Sequence, residues 1–480
     1  MPRFLMCITC FALAALLVPA GAMAQTSLRD VVEMTVTSNP EILASWEVFQ
    51  ESIHKQRAVK GSYLPRIDLS GRTGLERVEN RNDVETYDPA EARLSLRQLL
   101  FDGYLTPSET ERLGYEKLAS YFELIEKSED MAFEAVRAYV DVMRFRELLE
   151  YANENYLEHN QIYQQVRERV ESGVGRGVDL DQARGRLALA ASNRTTEANN
   201  LHDVTARFLR ITGQLPDSNL PQLPEMNGNA LPPDIRQALT KAFQSNPGFK
   251  AAIETVRAAN KAKDARRSNY MPNLELNSYY AAGSDRAEID GHSEKGVIEL
   301  NLNYNLYRGG SDLAAVRQYQ SRLNQAIKLR EKKCRDLRQT MSISFTEHQM
   351  LETQLTSLKE HEDSIFKARQ AYRNQFNIGQ RTLLDLLDSE NEYFRARRAH
   401  AIAVYDYYIS HAEILAELGM LLATLQADQS FIPNLSELDV APDDIDPTAL
   451  CPAEPVPVAQ FELQPPAQIE KQAPTDGDDD

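Results

Sequence analysis

Asp385 and Asp388 stand three residues apart, just after a glycine turn that runs from Phe376 through Gly379 and Arg381. On a helix this spacing puts both carboxylates on one face. Acidic side chains also suit a helix N-terminus, where unpaired N–H groups leave partial positive charge. Read from the residues alone, the two aspartates cap a helix and Arg381 is a solvated side chain. The stretch from Gly173 through Gly175, Gly177 and Val178 to Asp179 repeats the pattern. Gly173 precedes Gly379 by 206 residues, and Asp179 precedes Asp385 by 206. A turn recurring at that distance points to a duplicated chain.

Other chemistry finds little support. The Gly173, Gly175, Gly177 series resembles a phosphate loop, but it follows a helical pattern rather than a strand, and no Lys-Ser/Thr pair follows. His348 and His361 lie near acids on a charged helical face without metal-ligand spacing. No Gly-x-Ser-x-Gly or Cys–His arrangement suggests a nucleophile. The acidic C-terminal tail lacks the order of an EF-hand. The expectation is no enzyme activity, no cofactor and no metal centre.

The elements that carry the two turns belong to a 480-residue chain, 42% hydrophobic and 26% charged, with net charge −18. That charge argues against nucleic acid as a partner. From Asp428 onward there are 13 Asp or Glu and one Lys, so most of the excess is in the tail. Residues 1–24 read as a secretory signal peptide: Arg3, an apolar run from Phe4 to Val18, and Ala22-Met23-Ala24 as a cleavage site. Gln25, rather than Cys, follows, so no N-terminal lipid is indicated. Cys7 and Cys10 leave with the signal. Cys334 and Cys451 remain, which is no disulfide framework. No later run is long and apolar enough for a transmembrane helix. An exported chain of this kind enters a membrane only as a β-barrel.

Leu28 to about Ser62 has helical spacing, restarted at Ser38-Asn39-Pro40 and ended before Pro65. Alternating strands follow at about 66–75 and 92–101, separated by a polar loop. Residues 108–172 contain one glycine, Gly114, and no proline. This reads as a single helix of roughly 100 Å. After the glycine turn comes a helix over 179–211, then a linker over 216–233 rich in Pro, Asn and Gly. The plan then recurs. Ser245-Asn246-Pro247 and Tyr270-Met271-Pro272 match Ser38-Asn39-Pro40 and Tyr63-Leu64-Pro65 at an offset of 207, without gaps. Strands fall at about 273–282 and 297–307, and helices at 311–377 and 382–418. The two repeats span 25–215 and 234–425. The remaining residues, 426–480, read as a disordered acidic, Pro-rich tail.

Each strand sets apolar residues against Asn, Ser, Glu or Arg, as in a lipid-facing, water-lined barrel wall. Four strands cannot close a barrel, and an open edge is untenable in lipid. The strands must be shared between chains, eight in a dimer or twelve in a trimer, and the strand pattern alone leaves that choice open. The helices are too charged for lipid, so they extend into water as hairpins with tips at Gly173–Gly177 and Gly379.

The duplicated helix–strand–strand–helix plan, the Asn-Pro and Tyr-x-Pro landmarks and the two glycine turns with following aspartates resemble the TolC family of outer-membrane channels. The resemblance covers about Ser27 to Leu425. It implies a mainly α fold with a small β part: duplicated units that form a shared transmembrane β-barrel and a long periplasmic α-helical barrel in a homotrimer. It further implies an outer-membrane location, with an inner-membrane transporter and a periplasmic adaptor as partners. Asp385 and Asp388 match the family's paired carboxylates, which ring the tunnel entrance and favour cations. Arg381 and Asp179 match residues whose links hold that entrance closed. Val178 and Phe376 depart from the pattern: they stand where a Thr would accept a hydrogen bond and a Tyr would donate one. Gly173, Gly175 and Gly379 are the expected adaptor-docking turns, and plain turn chemistry serves them equally.

The function expected is a passive exit duct, first for type I protein secretion and second for multidrug or metal efflux. A periplasmic coiled-coil adaptor or scaffold is the alternative from another class, although adaptors carry a single hairpin and no amphipathic strands.

Overall fold

The computed structural model describes residues 26–80, 83–224, 230–286, 289–438 and 446–455. The signal peptide expected over 1–24 lies outside these residues, as does the last part of the tail. The elements in order are α1 (Leu28–Ser38), α2 (Pro40–Lys60), β1 (Arg66–Thr73), β2 (Glu76–Asn80), β3 (Asp83–Tyr87), β4 (Ala90–Phe101), α3 (Leu105–Glu171) and α4 (Gly177–Thr212). Then come α5 (Ile235–Ser245), α6 (Pro247–Arg267), β5 (Asn273–Arg286), β6 (Ile289–Asn303), α7 (Ser311–Asn377) and α8 (Leu383–Glu417). Among the described residues two short helices follow, α9 (Leu421–Thr424) and α10 (Pro447–Leu450). The mainly α fold with a small β part is the one expected.

Helices α3 and α7 each run 67 residues, roughly 100 Å at 1.5 Å per residue. Neither finds one partner of that length. Helix α4 packs along one part of α3 and α2 along another, while α6 and α8 both pack on α7. Two asparagines splice these shorter helices. Asn39 accepts from the Glu41 amide at 2.9 Å, capping α2, and its Nδ2 donates to Ile211 O at 3.0 Å near the end of α4. Asn246 accepts from the Phe249 amide at 2.8 Å, capping α6, and donates to Glu417 O at 2.9 Å at the end of α8. Each side chain satisfies both a free N–H and a free C=O. Pro40 and Pro247 follow at the first helical position, where their missing N–H costs nothing.

The four long strands form one antiparallel sheet in the order β1-β4-β5-β6. Its register sets Ile67 opposite Leu96, Leu69 opposite Leu94, Leu94 opposite Tyr280 and Leu276 opposite Leu300. Residues directly opposite share a face, so one face is mainly apolar, interrupted by Gln98 and Ser278. The other carries Asp68, Ser95, Asn277 and Glu299. Within the chain the apolar face is uncovered: Ile67 is 64% exposed and Ile298 79%.

Three sequence expectations need correction. The polar stretch after β1, read as a loop, pairs as a β2–β3 hairpin from Glu76 opposite Tyr87 to Asn80 opposite Asp83. The stretch left between the strands expected at about 273–282 and 297–307 instead continues β5 and β6, with pairs out to Arg286 opposite Ile289. Backbone pairing needs no apolar alternation where both faces meet water.

The third correction concerns the tail and the cysteines. The tail's first part is not disordered. Lys117 Nζ donates to Leu438 O at 2.7 Å, Tyr121 OH to Pro433 O at 3.0 Å, and Arg338 Nη2 to Pro452 O at 2.8 Å. Cys334 of α7 and Cys451 form a disulfide across 117 residues, with Cα atoms 6.0 Å apart. Cys451 joins an apolar cluster with Leu239, Phe243, Phe249 and Met341. A few anchors thus hold a strap whose overall composition is polar. Such a bond persists in oxidising compartments.

Where α3, α7 and α8 cross, carboxylates gather round Lys333 in a cavity of about 220 Å³ lined also by Asn246 and Pro247. Glu126 pairs with Lys333. Glu129 is buried and accepts from the Leu421 and Leu422 amides at 3.0 and 3.3 Å, at the start of α9. Burial raises the Glu129 carboxyl to about 8. Glu417 is raised to about 7, again by burial, which the neighbouring Lys333 partly offsets.

Two outcomes are expected. Closing a 117-residue loop is worth roughly 4–5 kcal/mol in the chain-entropy description. Cys451→Ser should therefore lower the thermal midpoint and open 446–455 to limited proteolysis. Reductant should do the same to the native protein and nothing further to the variant; a strap equally resistant in both would refute its anchoring role. The second outcome concerns pH. A carboxyl raised from its usual value near 4.5 gives stability that is complete below that value and is lost as pH rises through about 8. Thermal stability should fall between pH 5 and 8, and Glu129→Gln should flatten that fall by on the order of 1–3 kcal/mol. A slope unchanged by the substitution would exclude Glu129 as its source.

Candidate functional site at the hairpin tips

Helices α3 and α4 form one hairpin, α7 and α8 a second, and the residues singled out in the sequence lie at their tips. Both tips reverse through glycine in the left-handed region, Gly173 at φ +78° and Gly379 at φ +77°. At the first, the Val174 and Gly175 amides return to Arg169 O at 3.0 and 2.8 Å. At the second, the Gln380 amide returns to Gln375 O at 2.8 Å. These bonds satisfy carbonyls left over at the helix ends. A Cβ on Gly175 would lie 2.8 Å from Val170 Cγ2 and 2.9 Å from Val170 N, so that turn has no room for a side chain.

Thr382 and Asp385 open α8 with a reciprocal capping box. The Asp385 amide donates to Thr382 Oγ1 at 3.2 Å, and the Thr382 amide donates to Asp385 Oδ2 at 3.3 Å. Asp388, one turn on, pairs with Arg186 of α4. Arg381 stays on its own hairpin. Its Nε donates to Gln375 Oε1 at 2.9 Å, its guanidinium lies 4.2 Å above the Tyr372 ring, and Nη1 is 3.9 Å from Asp385 Oδ2. Asp179 accepts a two-pronged bond from Arg176, both distances 3.1 Å, within its own turn. Within one chain, therefore, Arg381 and Asp179 do not meet.

Phe376 is buried among Ile162, Val166, Ala183, Leu386 and Leu387, which come from both hairpins. Arg169 lies 5.2 Å above its ring. At this position a phenylalanine contributes packing rather than a hydrogen bond. Val178 is 68% exposed at the start of α4.

Above the tips, a charged ladder that was not anticipated ties α8 to α3. Glu390 is buried and accepts from Arg369 Nε and Arg373 Nη2, both at 2.7 Å. Both arginines also reach Glu158 of α3. Arg397 pairs with Glu154, and Arg398 with Glu197 of α4. His159 is buried beside this ladder, and burial, aided by Arg186, pushes its imidazole down to about 4. It is neutral at physiological pH. Arg186 carried one sequence signal: it lies seven residues after Asp179, two turns along the same helical face. Among the described residues, no group of three His, Cys, Asp or Glu is placed to hold a metal, and no helix is long and apolar enough to cross a membrane.

Comparison with known proteins agrees with this geometry. The sequence model of the family described as "Outer membrane efflux protein" matches residues 31–214 and again 238–420. Outer membrane efflux protein BepC of Brucella suis biovar 1 is 26% identical over 370 residues, covering 76% of this chain and 79% of that protein. Alkaline protease secretion protein AprF of Pseudomonas aeruginosa is 23% identical over 410 residues, covering 82% and 84%. The solved Campylobacter jejuni CmeC outer membrane channel superposes with a TM-score of 0.72 at 16% identity, covering 90% of this chain and 99% of that one.

The capping box yields a direct test. Asp385→Ala, which removes the N3 carboxylate of the box, should cost about 0.3–1 kcal/mol at the start of α8. The readout is faster amide hydrogen exchange over 382–386; exchange at the native rate would mean that the carboxylate does not cap.

Proposed function

The chain belongs to the outer membrane efflux protein family, of TolC-type channels, and from that premise we propose that it is the outer-membrane exit duct of a tripartite export machine serving type I protein secretion. The observation that carries the reading is the four-stranded sheet, with one apolar face uncovered, at one end of helical hairpins roughly 100 Å long. Strands β1 and β6 each pair on one side only. In lipid such edges must be joined to other strands. Three copies would supply twelve strands, with the apolar faces outward and the polar faces lining water.

Residues 25–215 and 234–425 are taken as the two repeats of each protomer. The hairpins would then extend into the periplasm as a homotrimeric helical barrel that meets an adaptor and an inner-membrane transporter. In this arrangement Asp385 and Asp388 form the acidic entrance ring. Arg381 and Asp179 reach neighbouring protomers, and Phe376 and Val178 line the same gate. Gly173, Gly175 and Gly379 form the docking turns.

Similarity to a protein named for alkaline protease secretion supports secretion as the role. Similarity to one named for efflux supports the second reading, export of drugs or metal ions. A periplasmic scaffold fits less well, because it would need neither the second hairpin nor the amphipathic sheet.

Protein extracted from outer membranes should insert into planar bilayers and give small, cation-preferring currents. Asp385→Ala combined with Asp388→Ala should weaken that preference. Deleting the gene should remove a large protein from the culture medium while leaving drug and metal tolerance intact. Lost tolerance with normal secretion would select efflux instead, and an intact inserted oligomer that never conducts would overturn the channel.

A further inference from the structure

Ion pairs cross between the two hairpins at several heights, and among the described residues the pair nearest their ends is Arg186 with Asp388. Arg186 lies in the third turn of α4, which begins at Gly177, and Asp388 in the second turn of α8, which begins at Leu383. The next ionic crossing, Glu158 with Arg369 and Arg373, lies 13 residues above the end of α3. Other charged groups at the tips are engaged within their own turns: Asp179 with Arg176, and Asp385 with Thr382 and Arg381.

We propose that Arg186 is the counter-charge of Asp388 at the acidic entrance and the outermost ionic tie between the hairpins. This rests on the reading of the tips as a channel entrance. From spacing alone, Asp385 and Asp388 in a trimer give six bare carboxylates. The geometry instead assigns a guanidinium of the other hairpin to every Asp388, while Arg381 of the same hairpin stands 3.9 Å from Asp385, so neither carboxylate is bare. His159 beside Arg186 is held neutral by its burial and adds no second cation. The pair is part-exposed, with side chains 28% and 54% accessible. Pairs of this kind contribute little to stability. Their charge still acts on an ion passing within a Debye length, about 8–10 Å. The consequence is therefore read in ion current rather than in melting temperature.

The test measures reversal potential in a KCl gradient and block by lanthanum, in planar bilayers, on the full-length protein. Arg186→Gln should raise cation preference and lower the half-blocking lanthanum concentration roughly tenfold, because three positive charges leave the constriction. Arg186→Lys should stay near the native values. Asp388→Asn, which exposes Arg186, should shift selectivity towards anions; this variant tests the same tie from the other hairpin if Arg186→Gln does not assemble. Lys328→Gln, which removes a charge from an exposed pair with Glu331 within α7, controls for net charge. Arg186→Gln and Asp388→Asn channels that conduct like the native one would overturn this inference alone. A native protein that never conducts would overturn it together with the entrance reading beneath it.

Discussion

Two buried asparagines set the dimensions of this molecule. A 67-residue helix exposes a seam along its whole length, and none of the helices that pack on it is long enough to cover it. Asn39 and Asn246 solve this by serving two helices each, as acceptor for a free N–H and donor to a free C=O. A helix end buried without such partners would strand polar groups at a cost of about 1–3 kcal/mol each. With the splice, α4 runs on into α2, and α8 into α6, as composite rods that match α3 and α7. Repeating the device in both halves places both glycine tips at one end of the molecule and the sheet at the other.

The sheet imposes the opposite condition. Its central strands β4 and β5 are paired on both sides, whereas β1 and β6 are not. Its apolar face covers nothing within the chain. Such a surface is an aggregation hazard in water and impossible in lipid unless its edges are closed. The helices, by contrast, are dressed with ion pairs, although apolar side chains such as Leu157, Leu329 and Ile343 stay exposed along them. The sheet of one chain is therefore incomplete, and it is the strands that demand an oligomer.

Much of this was legible in the sequence because each signal was local and periodic. The absence of proline from 108 to 215 and from 273 to 432 marks the long helices. The alternation in Ile298, Leu300 and Leu302 marks a strand with two unlike faces. The Ser-Asn-Pro landmarks mark the restarts, though not that their asparagines reach a helix about 170 residues away in sequence. What stayed hidden was non-local or aperiodic. Two cysteines 117 residues apart say nothing about pairing. The strap around Leu438 and Cys451 has too few apolar anchors to stand out from its Pro and Asp. The β2–β3 hairpin has no apolar face to read. At the tips, spacing located Asp385 and Asp388, but not that Thr382 and Asp385 cap each other or that Asp388 belongs with Arg186.

The energies along the hairpins are graded. Glu390 is buried between two arginines that also hold Glu158. Removing one side of such an arrangement leaves an uncompensated buried charge, at a cost of about 3–5 kcal/mol. The pairs at the tips are part-exposed, and each is worth about 1 kcal/mol or less. The Phe376 cluster lies between these levels, since its packing resists separation but carries no buried charge. A force that spreads the hairpins therefore meets its weakest resistance in the last few turns and a sharp rise at the Glu158–Glu390 ladder. The two left-handed glycines, Gly379 and Gly173, also lie below that ladder.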